Sequence, residues 1–326
     1  VVVYMISKGD VKASLQFERA LKIVRTTYRE GADDRVLNPP KLSMHLGDDG
    51  GWPPHDGFAI NMPAYVDWLD AVGSKWAVAA WDSTADIPIH ALITLFDMQS
   101  GAFKAIIEGM YLTGVRTALQ SVIGVRQLQD SSTCSISVIG AGYQAQFQMY
   151  LLDALCDVTE FNLFDIDRGT ATQLQEDLQS RVEASINCLE SVSGMAESDV
   201  LITVTDAQRP VITHEHSSDI STIIALGSYG ELSETTINNV DAVVVDHIEQ
   251  CLERGALSSL AEAGQFEKSD IDATIGDVLS ASDTSNVRQA SQTLFVPIGL
   301  GSLDIALAEH VYRHQSRQSG TQFAFR

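Results

Sequence analysis

The chain has 326 residues, enough for one large or two ordinary domains, and its 45% apolar and 20% charged content is that of a globular protein. Its net charge of -22, from 43 acidic against 21 basic residues, repels phosphate backbones and anionic lipid, which excludes nucleic acid and membrane surfaces as partners. No apolar run reaches the roughly 18–20 residues that cross a bilayer. The run Val1-Val2-Val3-Tyr4-Met5-Ile6 is too short for a secretory core and reads as a first strand, so a cytoplasmic location is expected. Only seven of the basic residues are lysine. So acid-rich a surface suits a salty cytosol, where screening removes self-repulsion, as well as an ordinary acidic protein. Cys134, Cys156, Cys188 and Cys251 form no C-x-x-C pair and are expected to be structural thiols.

In chain order, residues 14–30 carry apolar side chains at helical spacing (Leu15, Phe17, Ala20, Leu21, Ile23, Val24). A loop rich in Pro, Gly and Asp spans 38–57. Strands are expected at 58–62, 75–80 and 91–96, with a turn at Asp97-Met-Gln-Ser-Gly101. Trp52, His55, Tyr65 and Trp68 are expected to pack around the substrate loop without a chemical role. From Ser135 the rhythm changes. Strands at 135–139, 160–165, 200–204, 222–226 and 242–245 alternate with helices, among them 146–155 and 168–185. This implies an α/β fold, a doubly wound parallel sheet, joined to an α+β domain. The pattern thus changes after about residue 125 and again after about residue 300. A last helix, 302–316, leads to an extended tail.

Gly140-Ala141-Gly142-Tyr143-Gln144-Ala145 follows a strand and opens a helix inside a strand–helix–strand unit of about thirty residues. Gly140 permits the tight turn, Gly142 lets backbone amides approach a pyrophosphate, and Ala145 is small enough for helix-on-sheet packing. The helix start at Tyr143 and Gln144 offers oriented N–H groups to phosphate oxygens. Asp165, 23 residues after Gly142, stands where a carboxylate receives the adenosine ribose and repels a 2′-phosphate. NAD is therefore favoured, with NADP possible because Arg168 is close enough to compensate.

Val115-Arg-Thr-Ala-Leu-Gln-Ser121 and Val138-Ile-Gly-Ala-Gly-Tyr-Gln-Ala145 resemble the ornithine cyclodeaminase/μ-crystallin family. Pro40-Lys41, Met62-Pro63, Ser74-Lys75-Trp76, Ala225-Leu-Gly-Ser228, Phe295-Val-Pro-Ile-Gly299 and Asp304 extend the resemblance in order over nearly the whole chain. It implies a substrate-binding and dimerisation domain made of 1–125 with 300–326, and an NAD(P)-binding domain over 126–299. It also implies a homodimer and hydride transfer between a nicotinamide and the carbon bearing an amine or imine, in an amino-acid dehydrogenase, opine-type dehydrogenase or ketimine reductase. By the same resemblance, Arg116 and Lys41 would hold the substrate carboxylate. Met62 would line the substrate, and Lys75 would face the reacting carbon and handle a proton. Thr117 would touch the cofactor, Thr203 and Thr205 would line its adenosine side, and Ser228 and Gly299 would lie near the nicotinamide.

Cyclodeaminases of that family carry an aspartate two positions after the glycine of the strand-end loop. Here the loop reads Gly227-Ser-Tyr-Gly-Glu-Leu232, placing Tyr229 there and Glu231 nearby but shifted. An ornithine or lysine cyclodeaminase, and a non-catalytic dinucleotide or small-ligand binder, stand as the alternatives. Val204-Thr-Asp206, Asp246 to Cys251, Pro297 and the tail Gly320-Thr-Gln-Phe323 resemble the opine-type branch that forms 2,3-diaminopropionate. No metal is expected: His214-Glu-His216, and Glu309-His310 with His314, lack a third ligand and read as surface.

Overall fold

The computed structural model describes residues 2–47, 55–81, 89–195, 197–281, 284–315 and 321–324. Trp52 and Gly320 fall outside them. The chain divides into two compact units, Val1–Arg116 with Leu300–Arg326, and Thr117–Gly299. The boundary expected after residue 125 therefore falls earlier, between two consecutive residues of the helix Met110–Leu128. A helix shows no break of pattern where one core hands over to another, which is why the sequence displaced it.

In the first unit, strands β1 (Val2–Ile6), β2 (Val36–Leu37), β3 (Leu42–Leu46), β4 (Gly57–Val66), β5 (Ala71–Ala80), β6 (Ile89–Asp97) and β7 (Ala102–Glu108) form one sheet in the order β1-β7-β6-β5-β4-β2, with β3 also on β4. Its β3-to-β7 pairings are antiparallel. One face is covered by the helices Phe17–Ala32 and Gly301–Gln315. The second of these is buried on almost every side, because it lies against both the sheet and the first helix. The other face bears Leu42, Met44, Trp76, Val78 and Leu92, all exposed. The helix expected over 14–30 runs from Phe17 to Ala32, and a separate helix, Lys8–Ser14, precedes it. The Gln315 amide bonds Asp10 O and Ser14 Oγ and holds the chain at that break.

In the second unit, β8 (Thr133–Ile139), β9 (Asp157–Phe164), β10 (Ser185–Cys188), β11 (Val200–Thr203), β12 (Thr222–Ala225), β13 (Ala242–Val245), β14 (Ala273–Thr274) and β15 (Thr293–Val296) form a parallel sheet ordered β10-β9-β8-β11-β12-β15-β13-β14. Strands β11, β12, β13 and β15 are buried at every position, as parallel strands covered on both faces must be. The order reverses between β8 and β11, and the loops leaving their carboxyl ends form the crevice where such sheets take ligands. The helix expected over 168–185 ends at Leu178. Val182 continues its periodicity, but the Asp153 carboxylate accepts from the N–H groups of Glu183 and Ala184 and draws the chain into β10. Back in the first unit, β16 (Thr321–Ala324) adds antiparallel to β1.

No helix among the described residues is long and apolar enough to cross a membrane. The charge is unevenly divided: 27 acidic and 7 basic residues fall in Thr117–Gly299, a net of -20, against 16 and 14 in the remainder.

Candidate active site

The glycine turn is built at the end of β8. Gly140 has φ +99, a conformation L side chains rarely adopt, and a Cβ there would stand 2.7 Å from Val204 O. Its N–H donates to Phe164 O (2.8 Å), and Val204 N–H donates to Ile139 O (2.9 Å), so the ends of β8, β9 and β11 are tied together. The helix Tyr143–Leu155 starts at Gly142 with no side-chain cap. Its first N–H groups are thus available to an anion, and the space above Gly142 is open. A groove of about 690 Å³ opens on Ala141, Gly142 and Tyr143 and runs along the helix Arg168–Leu178. Asp165, one residue past β9, accepts from Ala141 N (2.8 Å) and Asp167 N (2.9 Å), which aims its carboxylate at the glycine turn. Arg168 is on the surface, paired with Glu190 at 3.1 Å. These residues fit a dinucleotide: an uncapped helix start, an open backbone approach and a carboxylate at the second strand end.

Thr203 and Thr205 are held by a residue that sequence reasoning set aside. Glu231 is fully buried and accepts from Thr203 Oγ1 (2.7 Å), Thr205 N (2.6 Å), Thr205 Oγ1 (2.7 Å) and Gly227 N (2.8 Å). Burial pushes its carboxyl above the ordinary value against the pull of those four donors. A Cβ at Gly227 would collide with that carboxylate. Glu231 is therefore a clasp between the ends of β11 and β12, whereas Ser228 and Tyr229 (44% exposed) stand out in the loop. Gly299, at φ +78, is held by Asp246, which accepts from Ile298 N (3.2 Å), Gly299 N (2.8 Å) and the Gln120 amide (3.2 Å). Thr117 is buried one residue after Arg116.

The first unit gathers a different chemistry. Lys75 (2% exposed), from the middle of β5, donates to Asp304 Oδ2 at 2.8 Å, and Asp304 is 0% exposed. Arg116 Nε lies 3.4 Å from Asp304 Oδ1, an ion-pair contact rather than a closed hydrogen bond. The Thr113 hydroxyl stands between, 3.3 Å from Lys75 Nζ and 3.4 Å from Asp304 Oδ1. Lys75 is lowered from 10.5 to about 8: burial pulls it down, Asp304 opposes the fall and Arg116 adds to it. Burial alone would raise Asp304, but Lys75 and Arg116 hold it below the ordinary carboxylate range. Met62 pairs with Lys75 across the β4–β5 register. Lys41 is half-buried just before β3.

Two carboxylates, Asp304 and Asp246, were noted in the sequence only as points of resemblance. Asp304 carried a signal: an acidic residue inside the apolar helical run 303–308 must be paired to be buried. Among the described residues, no three His, Cys, Asp or Glu side chains gather as metal ligands. His216 Nδ1 closes a capping box with Thr213.

Comparison with known proteins agrees with this geometry. The profile of the ornithine cyclodeaminase/mu-crystallin family matches residues 2–319. The chain is 26% identical over 319 residues to a Delta(1)-pyrroline-2-carboxylate reductase of Bacillus cereus, covering 94% of this chain and 95% of that protein. It shares the fold of the Thermococcus litoralis Delta(1)-pyrroline-2-carboxylate reductase solved with NADH and L-proline (TM-score 0.87, 22% identity, 98% of this chain and 99% of that one). It shares it equally with an archaeal alanine dehydrogenase dimer with bound NAD (TM-score 0.87, 23% identity, 100% of both chains). The chain belongs to the ornithine cyclodeaminase/mu-crystallin family.

Proposed function

We propose that the protein is a cytoplasmic, homodimeric NAD-dependent reductase of small imino acids, converting the C=N bond beside a carboxylate into the amine of an amino acid. The observation that carries this reading is a buried lysine lowered to about 8 and an arginine sharing one carboxylate. A lysine titrating near neutrality is suited to donating a proton, and the arginine beside it is a fork suited to a substrate carboxylate. Residues 140–145 and Asp165 would hold the dinucleotide, which when bound supplies the hydride. Arg116 grips the substrate carboxylate, with Met62 and Lys41 lining the approach. Lys75 gives a proton to the substrate nitrogen, so that one N–H bond breaks on Lys75 as one forms on the product. The named relatives, which act on pyrroline-2-carboxylate and alanine, support this class of substrate. Cyclisation of ornithine is disfavoured because Glu231 is consumed by its four donors and Tyr229 supplies no carboxylate.

The test is consumption of NADH and NADPH by the purified protein against cyclic imine carboxylates, and against 2-oxo acids offered with ammonia or amino acids. Oxidation of NADH with one of these classes is expected. Ammonia release from ornithine with no net change in dinucleotide would replace this reading with a cyclodeaminase, and tight NADH binding without turnover on any substrate would make the protein a binder.

Two further results are expected. The dinucleotide is anionic and the unit proposed to hold it carries -20, so added KCl, by screening that repulsion, should tighten NADH binding. Fluorescence titration across ionic strength checks this; weakening with salt would contradict it. The apolar outer face of the first sheet, where Trp76 pairs with Leu92 and Val78 lies beside both, is the surface a second copy would cover. Trp76→Arg should yield monomers by light scattering at concentrations where the wild type is a dimer. A wild-type monomer would remove the dimer from the proposal.

A further inference from the structure

We propose that Asp304 is a positioning residue of this reaction: it ties Lys75 and Arg116 to one carboxylate and supplies the negative charge that lets Lys75 keep its proton until the substrate takes it. The inference rests on the reading of Lys75 as proton donor and adds the group that sets when that donor works.

The placement is specific. Lys75 and Asp304 are both buried, and two cations share a single anion. The helix Gly301–Gln315 contributes Asp304 from its first turn, where the positive end of the helix dipole also favours a carboxylate. The helix Met110–Leu128 contributes Thr113 and Arg116. The residues flanking Lys75 across the sheet, Met62 on β4 and Ile93 on β6, are apolar. The charged groups acting on Lys75 are therefore Asp304 and Arg116, one holding its proton and one expelling it. Without the carboxylate, two buried cations would face each other unshielded, and Lys75 would shed its proton below the pH at which it must donate.

Asp304 also lies within ion-pair reach of Arg116 Nε, so one carboxylate serves as counterion to both the proton donor and the carboxylate grip. Asp304 stays ionised throughout: the proton passes from Lys75 Nζ to the substrate nitrogen, and solvent replaces it.

The experiment is the pH profile of kcat/KM for NADH-dependent imine reduction in the wild type, Asp304→Asn, Asp304→Glu and Thr113→Val. The activity needs protonated Lys75 and falls as pH rises through its titration. In Asp304→Asn that descending limb should move about 1–3 pH units lower, with activity partly regained in acid. Asp304→Glu should return it toward the wild-type position. Thr113→Val, which removes only a hydroxyl between the pair, should move it a little in the same direction.

A second readout needs no turnover. The unfolded chain holds the lysine proton to near 10.5 and the folded chain to about 8, so Lys75 makes unfolding free energy climb with pH between those values. The difference from Lys75→Met isolates that climb, and Asp304→Asn should start it at lower pH. A folded, NADH-binding Asp304→Asn with a uniformly lower rate and an unmoved limb and climb would overturn the proposal, reducing Asp304 to a structural role. Should Asp304→Asn not fold, an unmoved limb in Thr113→Val would overturn it equally. If Lys75→Met keeps the wild-type limb, the assignment of Lys75 itself fails, which is a different result.

Discussion

Lys75→Met is expected to lower turnover by about 10²- to 10⁴-fold, the range a positioned general acid contributes, while leaving NADH affinity near that of the wild type. Methionine matches lysine in length and fills the same buried space on β5, but brings no proton and no charge. Asp304 keeps Arg116 as a counterion, so the cluster is weakened rather than emptied. The residues proposed to hold the dinucleotide belong to the other compact unit. The measurement is steady-state reduction beside a fluorescence titration of NADH on the same sample. Parallel loss of both would mean that Lys75 supports the fold and not the chemistry.

Glu231→Ala should cost about 3 kcal/mol or more of unfolding free energy, because two backbone N–H groups and two hydroxyls lose a charged acceptor in a place water does not reach. The loss should be accompanied by weaker NADH binding, since Thr203, Thr205 and Gly227 sit at the strand ends beside the glycine turn. Urea denaturation gives the first quantity and titration the second. A variant within about 0.5 kcal/mol of the wild type, the range of an ordinary surface substitution, would show that the clasp carries no strain-bearing role.

The parts legible in the sequence are those whose determinants are local. The parallel strands read as short apolar runs because both their faces are buried, and the glycine turn is announced by small residues at fixed spacing after a strand. The family motifs around Arg116 and Lys75 were equally visible, and the structure brings these two side chains to one carboxylate. The carboxylate itself was not legible as a partner, since nothing near residue 304 in the chain points to residue 75. Glu231 looked like a displaced loop acid because its four donors come from two other strand ends. The helix over 168–185 overshot for a similar reason: its terminating contact is Asp153, on a different helix.

The 229 residues that separate Lys75 from Asp304 carry a consequence for how the molecule is made. The ribosome delivers β1 to β7 first, then the whole of Thr117–Gly299, and only afterwards the helix that seats on the first sheet. Until residue 304 has left the exit tunnel, Lys75 has no anion and the sheet lacks its covering helix. The nascent amino-terminal segment must wait through the synthesis and folding of a contiguous neighbour, with apolar strands open to chaperones and to other unfinished chains. Lys75 and that later-made helix thus complete each other, and a chain stopped short of the helix lacks both the cover of its first sheet and the anion beside Lys75.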